Sequence, residues 1–534
     1  MKNNLALSWR AWVVYTTVFL IFLFVVVRIF AIQFNDRNFL ESKGNTLLLT
    51  SREIPVLRAG IFDRNNFPLA VSVKQYNLFA LRNFSEEDFK AINVITPLAK
   101  TFTEIDELKK KSLLFLNLDF SQYEEIKKLR LDSIEIEVVQ KRYYPLGEQI
   151  APLVGFAGKD GMGTDGLEKI LNSQLSGVPG LEIVLRNASR KPAIEAPSIP
   201  GQAYNLTIDS RIQFITFKHL SRFIEANNAK GGSAVVLDNH SGEILAIASY
   251  PSYNPNSPSR IIQRNRALVD AIEPGSIIKP LALAKGIDMG LISLKDQVDT
   301  NPGFITLSQI KISDPRNHGR LSFHEVIEKS SQVGASKLAL LIGIEALNSG
   351  YQAFGLSKPP NILFPGVAYG AIKTRPNISD HEIASLGFGY NLEASALQLA
   401  QAYSVFANEG YLKDFKLFLN DKESYSQRVI SKNSADQILL AMESVVLTGT
   451  GTLAAIPNHR VAGKTGTAHK SSSKGGYNKS KYVSSFAGIA PLDSKRLTIF
   501  VSVDEPGLNN YSGGVVAAPL FSAISEDVVS YLDE

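Results

Sequence analysis

Three short strings in the second half of this 534-residue chain carry residues able to do chemistry together. They are Ser276-Ile277-Ile278-Lys279, Ser330-Ser331-Gln332 and Lys464-Thr465-Gly466-Thr467. A serine hydroxyl is a weak nucleophile at neutral pH and acts only beside a base. Ser276 and Lys279 are three residues apart, so a helix places them on one face with side chains in reach. Pro274 and Gly275 read as a turn into that helix, and Pro280 falls in its first turn, where a missing N–H is tolerated. A nucleophile at a helix start also has free backbone N–H groups and the positive end of the dipole beside it. Lys279 can act as base only if its pKa falls, as a desolvated site near a second cation would ensure. Lys464 is the candidate for that cation, and the whole describes an activated serine nucleophile.

Each string is weak alone. Ser308–Lys311 and Ser471–Lys474 have the same serine-to-lysine spacing, so spacing by itself selects nothing. Residues 461–468 read as an edge strand. A glycine inside a strand marks close approach by another backbone, and for Gly466 the expected visitor is an extended peptide substrate. Ser330-Ser331 alone reads as a helix start or polar turn.

Other chemistries find less support. His324-Glu325-Val326-Ile327-Glu328 opens like a zinc-binding H-E-x-x-H, but Glu328 takes the second histidine's place. The seven histidines are scattered, so neither a metal nor a cofactor is expected, and His469 beside the Lys-Thr-Gly string is expected to be structural. The absence of cysteine excludes a disulfide framework, a thiolate metal site and a cysteine nucleophile. Gly161–Gly166 fits G-x-G-x-x-G, with a helix expected over Leu167–Leu175 and Glu182 downstream, yet no repeated βαβ units surround it. The net charge of +5 is only mildly basic. The basic run Lys109–Lys111 has Asp106 and Glu107 spaced as helix partners, so no nucleic-acid partner is expected.

Several elements must position the three strings. From Ala11 to Val27 the chain carries no charge, and beyond Arg28 it stays mostly apolar to Phe34. Such a stretch can cross a bilayer, with Arg28 snorkelling to the interface. It exceeds the apolar core of a signal peptide and no small-x-small site follows, so a retained anchor is expected. Lys2 and Arg10 favour a cytoplasmic N-terminus, residues 1–10, ahead of an anchor at 11–34. Residues 35–205 read as a mixed α/β domain, closing on a proline-bearing linker from Arg190 to Gln202. Residues 206–534 open with a helix, Ser210 to Asn227. A hairpin follows, Ser233–Leu237 and Ile244–Ala248 about the turn Asn239-His240-Ser241-Gly242. Helical patterns cover 276–289, 323–342 and 396–408, then strands 460–468, 482–489 and 497–503, and a last helix 517–532. Strands at both ends with helices between predict an α+β domain built on an antiparallel sheet.

The flanks of the three strings carry a resemblance. They include Arg58-Ala59-Gly60-Ile61-Phe62-Asp63-Arg64-Asn65, Arg142-Tyr143-Tyr144-Pro145 and Gly163-Thr164-Asp165-Gly166-Leu167-Glu168-Lys169. Leu206 through Gln213, Gly232 through Asp238, Tyr253-Asn254-Pro255-Asn256, Arg264-Asn265-Arg266-Ala267 and Glu273-Pro274-Gly275-Ser276 follow in order. From about residue 10 to 525 the chain resembles a class B penicillin-binding protein, and Glu273 favours the septal, division-type branch over elongation-type relatives. The resemblance implies a transmembrane helix, a non-catalytic pedestal of dimerisation type and a transpeptidase domain of penicillin-binding-protein/β-lactamase type. It implies a D,D-transpeptidase of the bacterial inner membrane, single-pass, with its catalytic domain in the periplasm at the division septum. Implied partners are peptidoglycan stem peptides ending in D-Ala-D-Ala, β-lactams, and divisome membrane proteins including an FtsW-like glycan polymerase.

By the same resemblance, Ser276 would attack the penultimate D-Ala carbonyl while Lys279 takes its proton. Backbone N–H groups of Ser276 and Thr467 would form the oxyanion hole. Ser330, supported by Lys464, would pass a proton to the leaving D-Ala, and Thr465, Gly466 and Thr467 would bind substrate with Gln332. Three positions depart from the pattern. Gln332 replaces asparagine, and its extra methylene shifts the amide by about 1 Å, a displacement able to slow a reaction about a hundredfold. Ile277 stands where threonine is common, and Asn391 where glycine is usual. Two other readings share the fold: a β-lactam sensor or β-lactamase, and a catalytically weak divisome scaffold.

Overall fold

The computed structural model describes residues 9–34, 36–54, 56–106, 111–158, 160–185, 192–257, 263–373, 375–421, 425–472, 475–493, 497–507 and 511–534. Lys109, Lys110, Arg190 and Lys474 lie outside the described residues. The chain forms two compact units, residues 1–57 with 177–201, and residues 58–176 with 202–534.

In the first unit an apolar helix, Trp9–Phe34, runs 26 residues with mean hydropathy 2.5 and no buried residue in its apolar window. At 1.5 Å per residue it spans roughly 39 Å, ample for a hydrocarbon core of about 30 Å. The helix Arg37–Leu48 follows, with an antiparallel sheet of Leu49–Ile54, Gly180–Leu185 and Pro192–Ala196 in that order. The expected linker from 190 to 202 is thus corrected in part. Pro192–Ala196 pairs as an edge strand, where proline's missing N–H is no obstacle.

The second unit brings the early motifs together. Arg58 Nε donates to Glu168 Oε2 at 2.7 Å and Arg142 Nε donates to Glu168 Oε1 at 2.7 Å, with Glu168 fully buried. The arginine strings and the glycine-rich string therefore meet on one carboxylate. The glycines serve that packing, since a Cβ on Gly163 would lie 1.8 Å from the Glu168 carbonyl oxygen. The helix expected over Leu167–Leu175 is two short ones, Gly166–Ile170 and Asn172–Ser176. Breaking a buried ion pair leaves uncompensated charge, so Glu168→Ala is expected to destabilise the protein by about 3–5 kcal/mol. Urea unfolding of variant and wild type reads this directly, and an unchanged midpoint would refute it.

The catalytic-half sheet has five antiparallel strands. They are β1 (Gly231–Asp238), β2 (Ile244–Tyr250), β3 (Ala462–Ser471), β4 (Tyr477–Ala490) and β5 (Leu497–Asp504), in the order β2-β1-β5-β4-β3. Strand side chains alternate between faces. Val235, Leu237 and Phe500 join one apolar cluster, while Ala234, Val236 and Val501 join another. Both faces are therefore covered. Helices α1 (Ser210–Ala226) and α5 (Gly513–Asp533) pack on one face, burying Leu220, Phe521 and Ile524. Helix α2 (Lys279–Asp288) belongs to the core on the other. The pattern expected as one helix over 323–342 is two, α3 (Phe323–Glu328) and α4 (Gln332–Ile342). Ser330 breaks it with a left-handed φ of 59°.

Candidate active site

Ser276 lies in a 3-10 turn, Gly275–Ile278, that runs directly into α2, of which Lys279 is the first residue. Ile277 and Ile278 are fully buried and anchor the turn, and the Tyr403 hydroxyl donates to the Ile277 carbonyl at 2.7 Å. Ser276 itself is half-buried, and among the described residues its hydroxyl has no hydrogen-bond partner. The expected contact from Ser276 to Lys279 is thus not closed here. Lys279 Nζ reaches across instead, donating to the Ser330 carbonyl at 2.5 Å and to Ser330 Oγ at 3.2 Å.

Ser330 owes its position to the break between α3 and α4. The Ser331 hydroxyl caps α4, accepting from Gly334 N–H at 2.9 Å. It also donates to Asp314 at 2.6 Å, and Asp314 accepts from Gln332 N–H at 2.5 Å and Val333 N–H at 3.2 Å. Asp314 thereby fixes the turn presenting Ser330. Sequence reasoning missed it, because an aspartate before a proline carries no signal of a helix start seventeen residues on.

A second lysine reaches the same hydroxyl. Lys464 Nζ donates to Ser330 Oγ at 3.0 Å and to Thr465 O and Oγ1 at 3.2 Å each. Burial pushes Lys279 down to about 7 against the opposing pull of Asp314. Burial also holds Lys464 well below the usual amine range, with the neighbouring Lys279 charge adding to the effect. For Lys279, then, desolvation rather than a second cation is the main cause.

The Lys-Thr-Gly string lies on β3, an edge strand as expected. At Gly466 a close approach comes from within the chain. A Cβ there would sit 2.6 Å from Ile277 Cγ1 and 2.9 Å from the Pro274 carbonyl oxygen. Gly466 makes room for the turn bearing Ser276, so the protein's own backbone is what approaches. Gly275 lies against the next residue, where its Cβ would meet the Thr467 carbonyl at 2.9 Å. The Thr467 hydroxyl accepts from Gly513 N–H at 2.9 Å, and the buried Thr465 hydroxyl pairs with Thr450 at 2.8 Å.

A cleft of about 570 Å³ opens beside this cluster, lined among others by Gln332, Thr467, His469, Tyr390, Tyr477 and Tyr511. Gln332 faces it with a side-chain amide that has no partner among the described residues. Asn391 adopts φ 61°, a conformation asparagine accepts, and its N–H donates to Glu273 at 3.1 Å. Burial raises the Glu273 pKa, and the Tyr477 hydroxyl donates to the same oxygen at 3.0 Å. The decoys fall elsewhere. Ser308 sits at a hairpin turn with φ 48°, and Ser471 ends β3. Glu325 caps α3 through Ser322 and pairs with Lys329 at 2.6 Å. No metal-ligand cluster occurs among the described residues. The His469 ring packs on Tyr482 at 4.7 Å.

A family model described as the penicillin binding protein transpeptidase domain matches residues 232–526, and one described as the penicillin-binding protein dimerisation domain matches residues 53–205. A probable peptidoglycan D,D-transpeptidase PenA of Neisseria gonorrhoeae is 34% identical over 527 residues, 94% of this chain and 89% of that protein. The peptidoglycan D,D-transpeptidase FtsI of Escherichia coli is 34% identical over 546 residues, 98% and 92% of the two chains. The crystal structure of penicillin binding protein 3 from Mycobacterium tuberculosis with aztreonam superposes with a TM-score of 0.71. That structure is 26% identical and covers 90% of this chain and 97% of its own.

Proposed function

This chain belongs to the penicillin-binding protein transpeptidase family, and from that premise we propose how its residues divide the work of cross-linking peptidoglycan. The protein is a serine-type D,D-transpeptidase, whose acylation chemistry also makes it a target of β-lactams. Ser276 Oγ forms a bond to the carbonyl carbon of the penultimate D-Ala, and Lys279 takes the hydroxyl proton. A neutral amine has two N–H groups and one lone pair. Both N–H groups are engaged by Ser330, which leaves the lone pair for Ser276. The N–H groups of Ser276 and Thr467 stabilise the oxyanion. Ser330 accepts from two lysines, so its own proton is free to go to the departing D-Ala amine. Lys464, Thr465 and Thr467 hold the terminal carboxylate, Gly466 seats the nucleophile turn, and Gln332 meets the donor peptide across the cleft. A side-chain amine from a neighbouring stem then attacks the acyl carbon and gives a proton to Ser330, while the ester bond to Ser276 breaks and Ser276 takes its proton back from Lys279.

The convergence of Lys279 and Lys464 on the Ser330 hydroxyl, beside the turn that bears Ser276, carries this reading. We divide the chain into a cytoplasmic tail (1–10), an anchor (11–34), a pedestal (35–205) and a transpeptidase domain (206–534). In this reading the anchor holds the catalytic half on the periplasmic side, and the chain works at the septum beside an FtsW-like polymerase and other divisome proteins, as likeness to FtsI supports. The test is incubation with a labelled penicillin. A lasting adduct at Ser276, absent in Ser276→Ala, is expected. Rapid drug turnover would indicate a hydrolase, and no adduct a scaffold. Cross-linking of lipid-linked precursor polymer, with a glycan polymerase present, separates a synthase from a sensor.

A further inference from the structure

Lys311 is an acylation decoy by spacing, yet it lines the same cleft as Gln332 and Thr467. It sits on the hairpin of strands Phe304–Leu307 and Ile310–Ser313, three residues before Asp314. Its Nζ lies 4.0 Å from the centroid of the Phe304 ring, on the strand paired with its own. A cation over an aromatic face keeps its charge and loses some freedom of movement. Among the described residues it has no acidic partner. Among the described residues no carboxylate lines the cleft, whereas His381 and His469 do. A lysine on an open surface is ordinarily a solvated charge. A lysine braced on a ring at the rim of a substrate cleft that holds no anion is one with its counter-charge still to arrive.

Resting on the transpeptidase reading above, we propose that Lys311 recognises a carboxylate on the body of the donor peptide, distinct from the terminal carboxylate assigned to Lys464. It is a specificity-determining residue, which selects anionic stem peptides over otherwise identical neutral ones. The hairpin that carries it leads into Asp314, which holds the Ser330 turn, so an occupied Lys311 is fastened to the same framework as the reacting groups.

The test uses the full-length protein in detergent and two synthetic donor peptides. These are identical except that one internal acidic side chain is a carboxylate in one and a carboxamide in the other. The readout is the ratio of their kcat/KM values for acylation. Wild type is expected to favour the carboxylate about twofold to fivefold, the range for a partly exposed charge pair. Lys311→Ala should bring the ratio close to one, chiefly through the charged peptide, and Lys311→Arg should retain most of it. Added salt should shrink the wild-type ratio. An equal ratio in wild type and Lys311→Ala overturns the proposal. Labelled penicillin on the same preparations tells the two failures apart. With Ser276 labelled, that result defeats only the role of Lys311, and with wild type unlabelled the transpeptidase reading falls with it.

Discussion

Lys279→Ala is expected to slow acylation of Ser276 by about a thousandfold, within the 10²–10⁴ range for loss of a positioned general base. The loss should appear in the acylation rate constant, with penicillin affinity before acylation little changed. Lys279→Arg should not restore it, because a guanidinium does not give up its proton. The pH profile supplies a second readout. The base must be the neutral amine, and burial sets the folded pKa at about 7. Acylation of the wild type should therefore rise with pH up to about 7 and level off above it. Stability moves the same way. Above about 7 the unfolded chain keeps a proton on this lysine that the folded chain has lost, so folding strengthens as pH climbs toward the ordinary lysine value. An arginine variant with the wild-type rate and profile would remove Lys279 as the base.

Gly466→Ala carries the second large expectation. Its Cβ would fall 2.3 Å from Ser485 Oγ, 2.6 Å from Ile277 Cγ1 and 2.9 Å from the Pro274 carbonyl. The serine hydroxyl can rotate aside. The other two cannot, because one is main chain and the other belongs to a fully buried side chain. The turn bearing Ser276 must lift from the strand, and if Ser276 is the nucleophile a shift of about 1 Å slows acylation by roughly a hundredfold. Overpacking should also reduce stability by about 1–3 kcal/mol. Stopped-flow acylation and thermal unfolding of the same variant check both. Normal acylation would mean that the turn and the strand are not coupled as their packing indicates.

Both expectations rest on residues that sequence reasoning found for different reasons. Ser276, Lys279 and Lys464 were legible from spacing plus flanks, and the antiparallel sheet from strand patterns at both ends of the domain. Gly466 was legible as a place of close approach, but its neighbour was not, since a tertiary contact between residues 274 and 466 leaves no periodicity. The split between α3 and α4 was hidden for a related reason. Apolar residues continue at helical spacing on both sides of Ser330, and only its left-handed backbone, held through Asp314, interrupts them. Asp314 was invisible because its partners lie seventeen to nineteen residues on, beyond α3. The Arg58–Glu168–Arg142 ion cluster was visible only as three separate strings, each without an evident purpose.

Strand β3 has one further consequence. An unpaired strand margin is where copies of a protein stitch themselves together. Here the stretch from Ala462 to Gly466 is buried, roofed by the turn that bears Ser276 and by the helix Lys432–Leu447. A variant that escapes a bulky antibiotic by raising that roof would bare main-chain donors as well. Drug escape by this route is therefore coupled to a tendency of the molecules to clump, which limits how far the turn can move.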